Sequence, residues 1–269
     1  MLISVVTPCY RTPAEFLDDA YRSLRDQVLP AGWAWEWVVQ ADGDEPPPLS
    51  PQALADPRVR PATGPRGGPG TTRNVALERS SGELIRNLDS DDMLTPRALA
   101  DSIDVLTAEP EIGWTTCRAL DWMPDGSLRQ FATDPPAGLL RRGAVHSWWL
   151  DHGYLLNVHP ATICIRRELL IAVGGWMALP TSEDTGMLLA VSTLCDGWFL
   201  AEVGLYYRKH PGQLTEGAQY AADRTARAEL LRDRVRALES DILPMRSTGK
   251  QPHSRTPEGS GPHPPTLGG

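Results

Sequence analysis

The sequence predicts an α/β fold in which a Rossmann-like, mostly parallel central sheet is flanked by helices. The chain opens with an apolar strand, an amphipathic helix and a second apolar strand, which together form a βαβ unit. Polar turn segments directly follow the successive apolar runs. Its 269 residues, of which 41% are hydrophobic and 22% charged, suffice for one large domain with a sizeable core.

The first βαβ unit is visible in the residue pattern. Residues 2–7 (LISVVT) form an apolar, β-branched run that Pro8 ends. Residues 14–27 carry apolar side chains at helical spacing, and residues 35–40 form a second strand that ends at an Asp/Gly turn. This pattern predicts two neighbouring parallel strands joined by a helix.

The next segment is rich in proline and glycine and then returns to regular structure. We expect the glycine-rich stretch GPRGGPG to be a mobile loop, because it lacks the ending of a phosphate-binding loop. Further elements are predicted in the order short strand 59–61, helix from 71 or 72 to about 80, strand 83–88 and helix 97–108.

The remaining elements are shorter, and residues 137–157 give mixed periodicity without a clear assignment. A Pro-Asp-Gly turn predicts a hairpin. The expected elements are strand 112–120, its hairpin partner ending at 131, strand 161–166, helices 168–173 and 185–195, and strand 198–207.

We therefore predict one domain over residues 1–244, followed by a disordered tail over 245–269. Within it, the expected regions are an N-terminal half (about 1–110), a smaller second half (about 111–217) and a C-terminal helix (about 218–242). The tail is rich in Pro, Gly and Ser, and it has too little apolar surface to offset the entropy of ordering.

Charge and composition exclude several classes of protein. A net charge of −8 without a basic stripe argues against a nucleic-acid partner. The four cysteines are widely spaced, which disfavours a zinc site or a disulfide framework. The N-terminus lacks the pattern of a signal peptide, and no apolar run reaches the ~20 residues of a membrane span. We expect a cytoplasmic protein.

The segment RNLDSDDMLTP places three carboxylates within four residues at the end of a predicted strand. Ligands of parallel α/β sheets bind beyond the carboxyl ends of the strands. Taken alone, Asp89-Ser90-Asp91 can be a helix N-cap that stabilises the helix dipole. Alternatively, the carboxylates bind Mg²⁺ or Mn²⁺ together with phosphate oxygens.

Several motifs in order resemble one family. They are SVVTPCYR, VVQADGD, GPGTTRNVAL, NLDSDDMLTP, IRRELLIAVGGW, SEDTGM and YYRKHPG, and they cover residues 1 to about 215. The chain resembles a family 2 glycosyltransferase of the GT-A fold. That resemblance implies an inverting enzyme that moves a sugar from a nucleotide-diphosphate sugar to a hydroxyl-bearing acceptor, assisted by Mn²⁺ or Mg²⁺. The acceptor class, whether glycan, lipid-linked compound or natural product, stays open.

The resemblance implies that residues 1 to about 110 form a nucleotide-sugar half and residues 111 to about 217 an acceptor half. It also implies roles for matching residues. Asp184 is the expected catalytic base, with Glu183 as the neighbouring alternative. The expected metal ligands are Asp91, Asp89 and His210. The expected nucleotide-sugar contacts are Thr7, Pro8, Tyr10, Asp42, Arg73, Asn74, Asp89, Ser90 and Asp91.

Two departures from the family pattern bear on these roles. The usual paired aspartates after the second strand are Ala41-Asp42 here, and the polar Arg86-Asn87 interrupts a strand that is normally apolar. Aromatic and imidazole side chains suit sugar rings, so Trp149, His159 and Trp176 are acceptor candidates, although tryptophans are more often core residues.

Two other functions remain open. An Asp-dependent phosphohydrolase would be expected to carry its DxD on the first strand, with Thr or Val soon after, whereas Asp92-Met93 follows here. A noncatalytic nucleotide-sugar-binding protein would be expected to lack a base or a metal ligand. Because Asp91, Asp184 and His210 are all present, transfer is the favoured interpretation.

Overall fold

The computed structural model describes residues 1–213 and 224–240. Its strands are β1 (Leu2–Cys9), β2 (Ala34–Ala41), β3 (Val59–Ala62), β4 (Leu84–Asn87), β5 (Met93–Leu94), β6 (Trp114–Trp122), β7 (Leu128–Gln130), β8 (Gly138–Leu140), β9 (Cys164–Arg166) and β10 (Gly197–Arg208). Its helices are α1 (Ala14–Arg25), α2 (Pro51–Ala55), α3 (Gly68–Arg79), α4 (Ala98–Ala108), α5 (Ala144–Asp151), α6 (Arg167–Ala172), α7 (Glu183–Leu194) and α8 (Arg224–Glu239), with a short 3-10 helix at Pro160–Thr162.

The strands form one sheet, which confirms the α/β class. Its main order is β3-β2-β1-β4-β9-β6-β10-β5, with β7 beside β6 and β8 beside β10. The run from β3 to β4 is parallel, as predicted. Beyond it the sheet is mixed rather than mostly parallel, because β9 lies antiparallel between β4 and β6. That insertion joins the two halves of the domain into one sheet.

Apolar side chains pack on both faces of this sheet. One core cluster joins α1 and α4 to the sheet through residues such as Leu17 and Leu99. The other joins α3, α5, α7 and α8 and contains Trp149 and Trp176. Trp176 is only 2% exposed, so the structure places this acceptor candidate in the core.

Helix α3 begins earlier than the sequence predicts. The last three residues of the stretch expected to be a mobile loop belong to α3, which begins at Gly68 and has Pro69 in its first turn. Proline suits that position because its missing N–H has no helical partner there. A Cβ on Gly70 would lie 2.2 Å from the Met177 carbonyl oxygen, so glycine permits α3 to approach the segment before α7.

Two further segments differ from the sequence prediction. The unassigned region 137–157 contains β8 and α5. The predicted strand 161–166 begins as a 3-10 helix, and only Cys164–Arg166 pairs in the sheet.

The C-terminal helix is described over Arg224–Glu239. The remainder of the predicted helix and the predicted tail lie outside the described residues. Within the described ranges, no helix combines the length and apolar character needed to cross a bilayer.

The polar pair in β4 is buried, as its position in the sheet requires. Arg86 is fully buried and donates to the Thr162 carbonyl, with Cys117 Sγ 3.7 Å away. This bond crosses from β4 to the 3-10 helix before β9. The polar interruption of β4 thus helps to hold the antiparallel strand in place.

Candidate functional site

A cleft of about 960 Å³ opens at the carboxyl ends of β1, β2 and β4. The segments after these strands and the end of β10 supply one wall, and α7 and α8 supply the other. The predicted residues that line it are Pro8, Tyr10, Asp42, Arg73, Asp89, Ser90, Asp91, Trp149, His159, Glu183, Asp184 and His210. Residues from both halves of the domain therefore meet at one site.

The three carboxylates after β4 have three different partners. Asp89 accepts from Arg73 at 2.5 Å, Asp91 Oδ2 lies 2.9 Å from His210 Nε2, and Asp92 accepts from the Arg208 backbone N–H at 2.9 Å. Burial, reinforced by repulsion from Asp89, raises the pKa of Asp91. Burial together with repulsion from Asp91 and Asp89 raises the pKa of the fully buried Asp92 further. Only Asp89 and Asp91 line the cleft.

The end of β10 holds this acidic segment in place. β5 pairs with β10, which brings Arg208 beside Asp91 and Asp92. The Arg208 guanidinium donates to the Asp91 carbonyl at 2.7 Å and to Asp19 at 2.6 Å, and it lies 4.3 Å from the Phe16 ring centroid. His210, two residues on, packs against the same Phe16 ring. The sheet thus positions the imidazole next to Asp91.

Arg73 connects the two walls of the cleft. Its guanidinium is 5% exposed and donates both to Asp89 and to Glu183. Burial alone would lower the pKa of Arg73, but the charges of Asp89, Glu183 and Asp184 outweigh it and raise that pKa. The side chain therefore remains a cation, and a buried cation requires such partners.

Asp184 and Glu183 occupy the first turn of α7, where the helix dipole favours carboxylates. Glu183 is 5% exposed and bound to Arg73, whereas Asp184 is only partly buried. The Asp184 carboxylate accepts from the Thr185 N–H at 2.6 Å. Burial, followed by repulsion from Glu183, raises the pKa of Asp184 to about 7. That value suits a group that must take up a proton near neutral pH.

The wall after β1 and β2 carries aromatic and cationic groups. The Arg66 guanidinium donates to the Tyr10 hydroxyl at 2.5 Å and lies 4.7 Å from the centroid of that ring. Asp42 accepts from the backbone N–H groups of Gly67, at 2.6 Å, and Gly68, at 3.2 Å. The Ser90 hydroxyl lies 2.7 Å from that of Thr12. An adjoining cavity of about 830 Å³ shares Tyr10, Asp42 and Arg66 with the cleft.

Two predicted nucleotide contacts lie elsewhere. Thr7 is fully buried; its hydroxyl donates to the Leu88 carbonyl and accepts from the Trp37 indole N–H. The Asn74 amide instead exchanges hydrogen bonds with the Trp176 backbone, at 2.8 Å and 2.9 Å. Neither side chain is among those that line the cleft, because each stabilises the scaffold beneath it.

The acceptor candidates Trp149 and His159 do line the cleft. The His159 ring packs between Phe131, with centroids 5.4 Å apart, and Tyr207, at 4.6 Å. Burial lowers the pKa of His159 to about 4, so its imidazole is neutral at physiological pH. Its Nδ1 is buried without a hydrogen-bond partner among the described residues.

Sequence reasoning missed several cleft residues. Arg66 lies in the stretch that we expected to be a mobile loop, and α8 contributes Arg227, Ala228 and Leu231. The apolar stripe of α8, which includes Leu231 and Val235, signals a packed helix but not its neighbour. Only the tertiary arrangement places that helix beside Asp184.

The residues at the acidic segment suit a divalent cation. Among residues 1–213 and 224–240, no three His, Cys, Asp or Glu side chains converge on a ready-made metal site. However, Mg²⁺ and Mn²⁺ are commonly held by one or two carboxylates plus phosphate oxygens. Asp91 and His210 supply an oxygen and a nitrogen ligand side by side, while Asp89 is directed to Arg73. This donor set fits a cation that arrives with a diphosphate.

Comparison with solved structures supports the fold. The chain aligns with S. aureus TarS 1-349 in complex with UDP-GlcNAc at a TM-score of 0.64 and 20% identity, over 90% of this chain and 72% of TarS 1-349. It aligns with the mannosyltransferase PcManGT from Pyrobaculum calidifontis, in complex with GDP-Man and Mn²⁺, at a TM-score of 0.52 and 17% identity. That match covers 86% of this chain and 64% of PcManGT.

Sequence comparison identifies the family. The O-antigen biosynthesis protein RfbC of Myxococcus xanthus is 28% identical over 181 residues, which are 65% of this chain. The chain spans only 13% of that relative's length. The model of glycosyl transferase family 2 matches residues 4–142, more than half of the chain. The chain therefore belongs to glycosyl transferase family 2.

Proposed function

We propose that the chain transfers a sugar from a nucleotide-diphosphate sugar to an acceptor hydroxyl with inversion at the anomeric carbon. The observation that carries this proposal is the position of Asp184. It lines the same cleft as Asp91 but belongs to α7, and its pKa of about 7 suits a general base. A base separated from the diphosphate site favours attack from the opposite face of the sugar.

In the proposed reaction, the acceptor oxygen forms a bond to the anomeric carbon as the bond from that carbon to the diphosphate breaks. The acceptor proton passes to Asp184, and the nucleoside diphosphate leaves. Glu183 is bound to the Arg73 guanidinium, so it is poorly placed to accept that proton. General-base assistance of this kind is typically worth about 10²- to 10⁴-fold in rate.

Donor binding is proposed for the wall that carries Tyr10, Asp42 and Arg66. The Tyr10 ring, with the Arg66 guanidinium over it at 4.7 Å from the centroid, would stack on a nucleobase. Asp91 and His210 would hold Mn²⁺ or Mg²⁺. A bound cation would stabilise the leaving diphosphate as a Lewis acid. The UDP-GlcNAc, GDP-Man and Mn²⁺ complexes of the structural neighbours support this donor class and cofactor.

Release of nucleoside diphosphate tests the proposal directly. A panel of nucleotide sugars is first screened by thermal shift with and without Mn²⁺, because a ligand of the native state raises the melting temperature. The donors that bind are then assayed for turnover. Binding without turnover or transfer would favour the noncatalytic alternative, and phosphate release without sugar transfer would favour a phosphohydrolase.

The substitution Asp91→Asn is expected to abolish most Mn²⁺-dependent binding of UDP or GDP while leaving the melting temperature nearly unchanged. The amide keeps the shape of the carboxylate but loses the charge that the cation requires. Calorimetric titration with and without Mn²⁺ measures the effect. Asp104→Asn, at an exposed carboxylate of α4, is the control. Unchanged Mn²⁺-dependent affinity in Asp91→Asn would exclude this carboxylate as a metal ligand.

The pH profile of turnover should show an acid limb with a midpoint near 7, because only ionised Asp184 accepts a proton. Glu183, Arg73 and Asp89 are the charged groups that act on this carboxyl. Glu183→Gln removes the largest charge that raises its pKa, so the limb should move to lower pH. The measurement is kcat/KM from about pH 5 to pH 9 for both proteins. A limb that keeps its midpoint in Glu183→Gln would assign the titration to another group.

A further inference from the structure

One part of the cleft lining, called the apolar wall below, is largely hydrophobic. It is formed by Tyr154, Leu155 and Leu156 from the loop after α5, together with Ala228 and Leu231 from α8. Arg227 is the charged residue that these two segments add to the lining. By contrast, the donor wall carries the charged residues Asp42, Arg66, Asp89 and Asp91. The cleft therefore has a charged wall and an apolar wall.

Leu155 is the most exposed member of this apolar wall, at 55%. Its neighbours Tyr154 and Leu156 pack against the core cluster that contains Trp149. Tyr154 adopts a left-handed backbone conformation with φ of 68°, and its N–H donates to the Trp149 carbonyl at 2.8 Å. Backbone strain of this kind is common at ligand sites. Here the strained residue directly precedes Leu155, an exposed apolar side chain that lines the cleft.

The cleft has room for two substrates. Its volume of about 960 Å³ lies at the upper end of the roughly 300–1,000 Å³ typical of ligand sites. The donor wall and Asp184 account for a nucleotide sugar and the reacting hydroxyl. The apolar wall belongs to the same cavity, and α8 packs against α7, the helix that carries Asp184.

We propose that the acceptor carries an apolar aglycone next to its reacting hydroxyl, and that this aglycone lies against Tyr154, Leu155 and Leu231. The proposal rests on the proposed glycosyl transfer and specifies its acceptor class. Covering Leu155 removes apolar surface from water, which stabilises the complex. A purely hydrophilic glycan would instead leave hydroxyl groups desolvated against this wall, which costs free energy.

Binding of small glycosides tests the aglycone without knowledge of the natural acceptor sugar. Methyl, phenyl and n-octyl glucosides, each below its micelle concentration, are titrated into the full chain saturated with UDP and Mn²⁺. Saturating nucleotide keeps the probes out of the donor site. We expect the octyl or phenyl glucoside to bind at least about 10-fold more tightly than the methyl glucoside.

Leu155→Ser should weaken the favoured probe by about 5-fold and leave the methyl glucoside unchanged. Leu150→Ser is the matched control, because Leu150 is 38% exposed at the end of α5 and is not among the residues that line the cleft. Melting temperatures verify that both variants fold. Preference for the octyl chain points to a lipid-like aglycone, and preference for the phenyl ring to an aromatic one.

Equal affinity for the three glucosides would overturn the proposal, as would equal losses in Leu155→Ser and Leu150→Ser. The proposed function fails differently. If the apolar probes bind but no nucleotide sugar is turned over, glycosyl transfer is excluded. If a nucleotide sugar is turned over but the apolar probes do not bind, transfer stands and the aglycone assignment falls.

Discussion

Asp184→Asn is expected to reduce turnover by about 10²- to 10⁴-fold while the affinity for the nucleotide sugar stays nearly unchanged. Asparagine keeps the size and hydrogen bonding of the side chain, but it cannot accept the acceptor's proton at neutral pH. The variant should also be at least as stable as the parent above pH 7, because it removes a carboxylate that burial and Glu183 disfavour. Steady-state transfer, donor titration and thermal melting measure the three effects.

Glu183→Gln is the informative comparison. Glu183 is bound to Arg73, so its loss should affect stability and the pH profile more than the proton transfer itself. If Asp184→Asn keeps near parental turnover while Glu183→Gln does not, Glu183 is the base. If neither substitution matters while transfer is measurable, the mechanism has no base at this position.

Arg73→Gln should lower the free energy of unfolding by about 3–5 kcal/mol at neutral pH, since it leaves buried carboxylates without their cation. The side chains of its two partners are little exposed, at 6% for Glu183 and 24% for Asp89. Each kcal/mol corresponds to roughly 2–4 °C in melting temperature for a domain of this size. Turnover should fall as well, because Arg73 links the walls that carry Asp89 and Asp184.

The loss in Arg73→Gln should depend on pH. The charge of Arg73 lowers the pKa of Asp184, so without the guanidinium that pKa rises further above its unfolded value. The variant therefore regains stability as the pH falls and loses it as the pH rises. Arg22→Gln removes a surface pair with Asp19, in which the Arg22 side chain is 52% exposed, and should cost less than about 1 kcal/mol. Chemical denaturation of both variants at acidic and neutral pH provides the measurement. Equal, pH-independent losses would show that the Arg73 pairs add nothing beyond those of a surface arginine.

Local patterns in the sequence predicted much of the fold. β1, α1 and β2 lie within about two residues of their predicted ends, because apolar periodicity and turn residues are local signals. The position of β9 was not predictable in this way. Its three residues pair antiparallel with β4 and β6, about 80 and 50 residues distant in the chain, and short strands carry little register information.

In the candidate site, too, local patterns predicted some features, and contacts between distant residues determined the others. The strand assignment placed Asp89 and Asp91 at the carboxyl end of a predicted strand, and the structure has them in one cleft with Glu183 and Asp184. The partner of each side chain could not be predicted, since hydrogen bonds such as Thr7 to Leu88 depend on tertiary contacts. Residues of one motif therefore divide between the cleft and the scaffold: Arg73 lines the cleft, while its neighbour Asn74 binds the Trp176 backbone.

The contacts between β10 and the acidic segment also bear on the order in which the protein can assemble. The bonds from Arg208 to Asp91 and Asp92 and from His210 to Asp91 close loops of 116 to 119 residues. During synthesis, Asp91 and Asp92 leave the ribosome well before Arg208 and His210, the residues that bond to them. Such distant pairings slow folding, because the entropy of loop closure is spent before the contacts form. The nascent N-terminal half therefore carries Asp91 and Asp92 without these partners, and the site matures only when β10 docks.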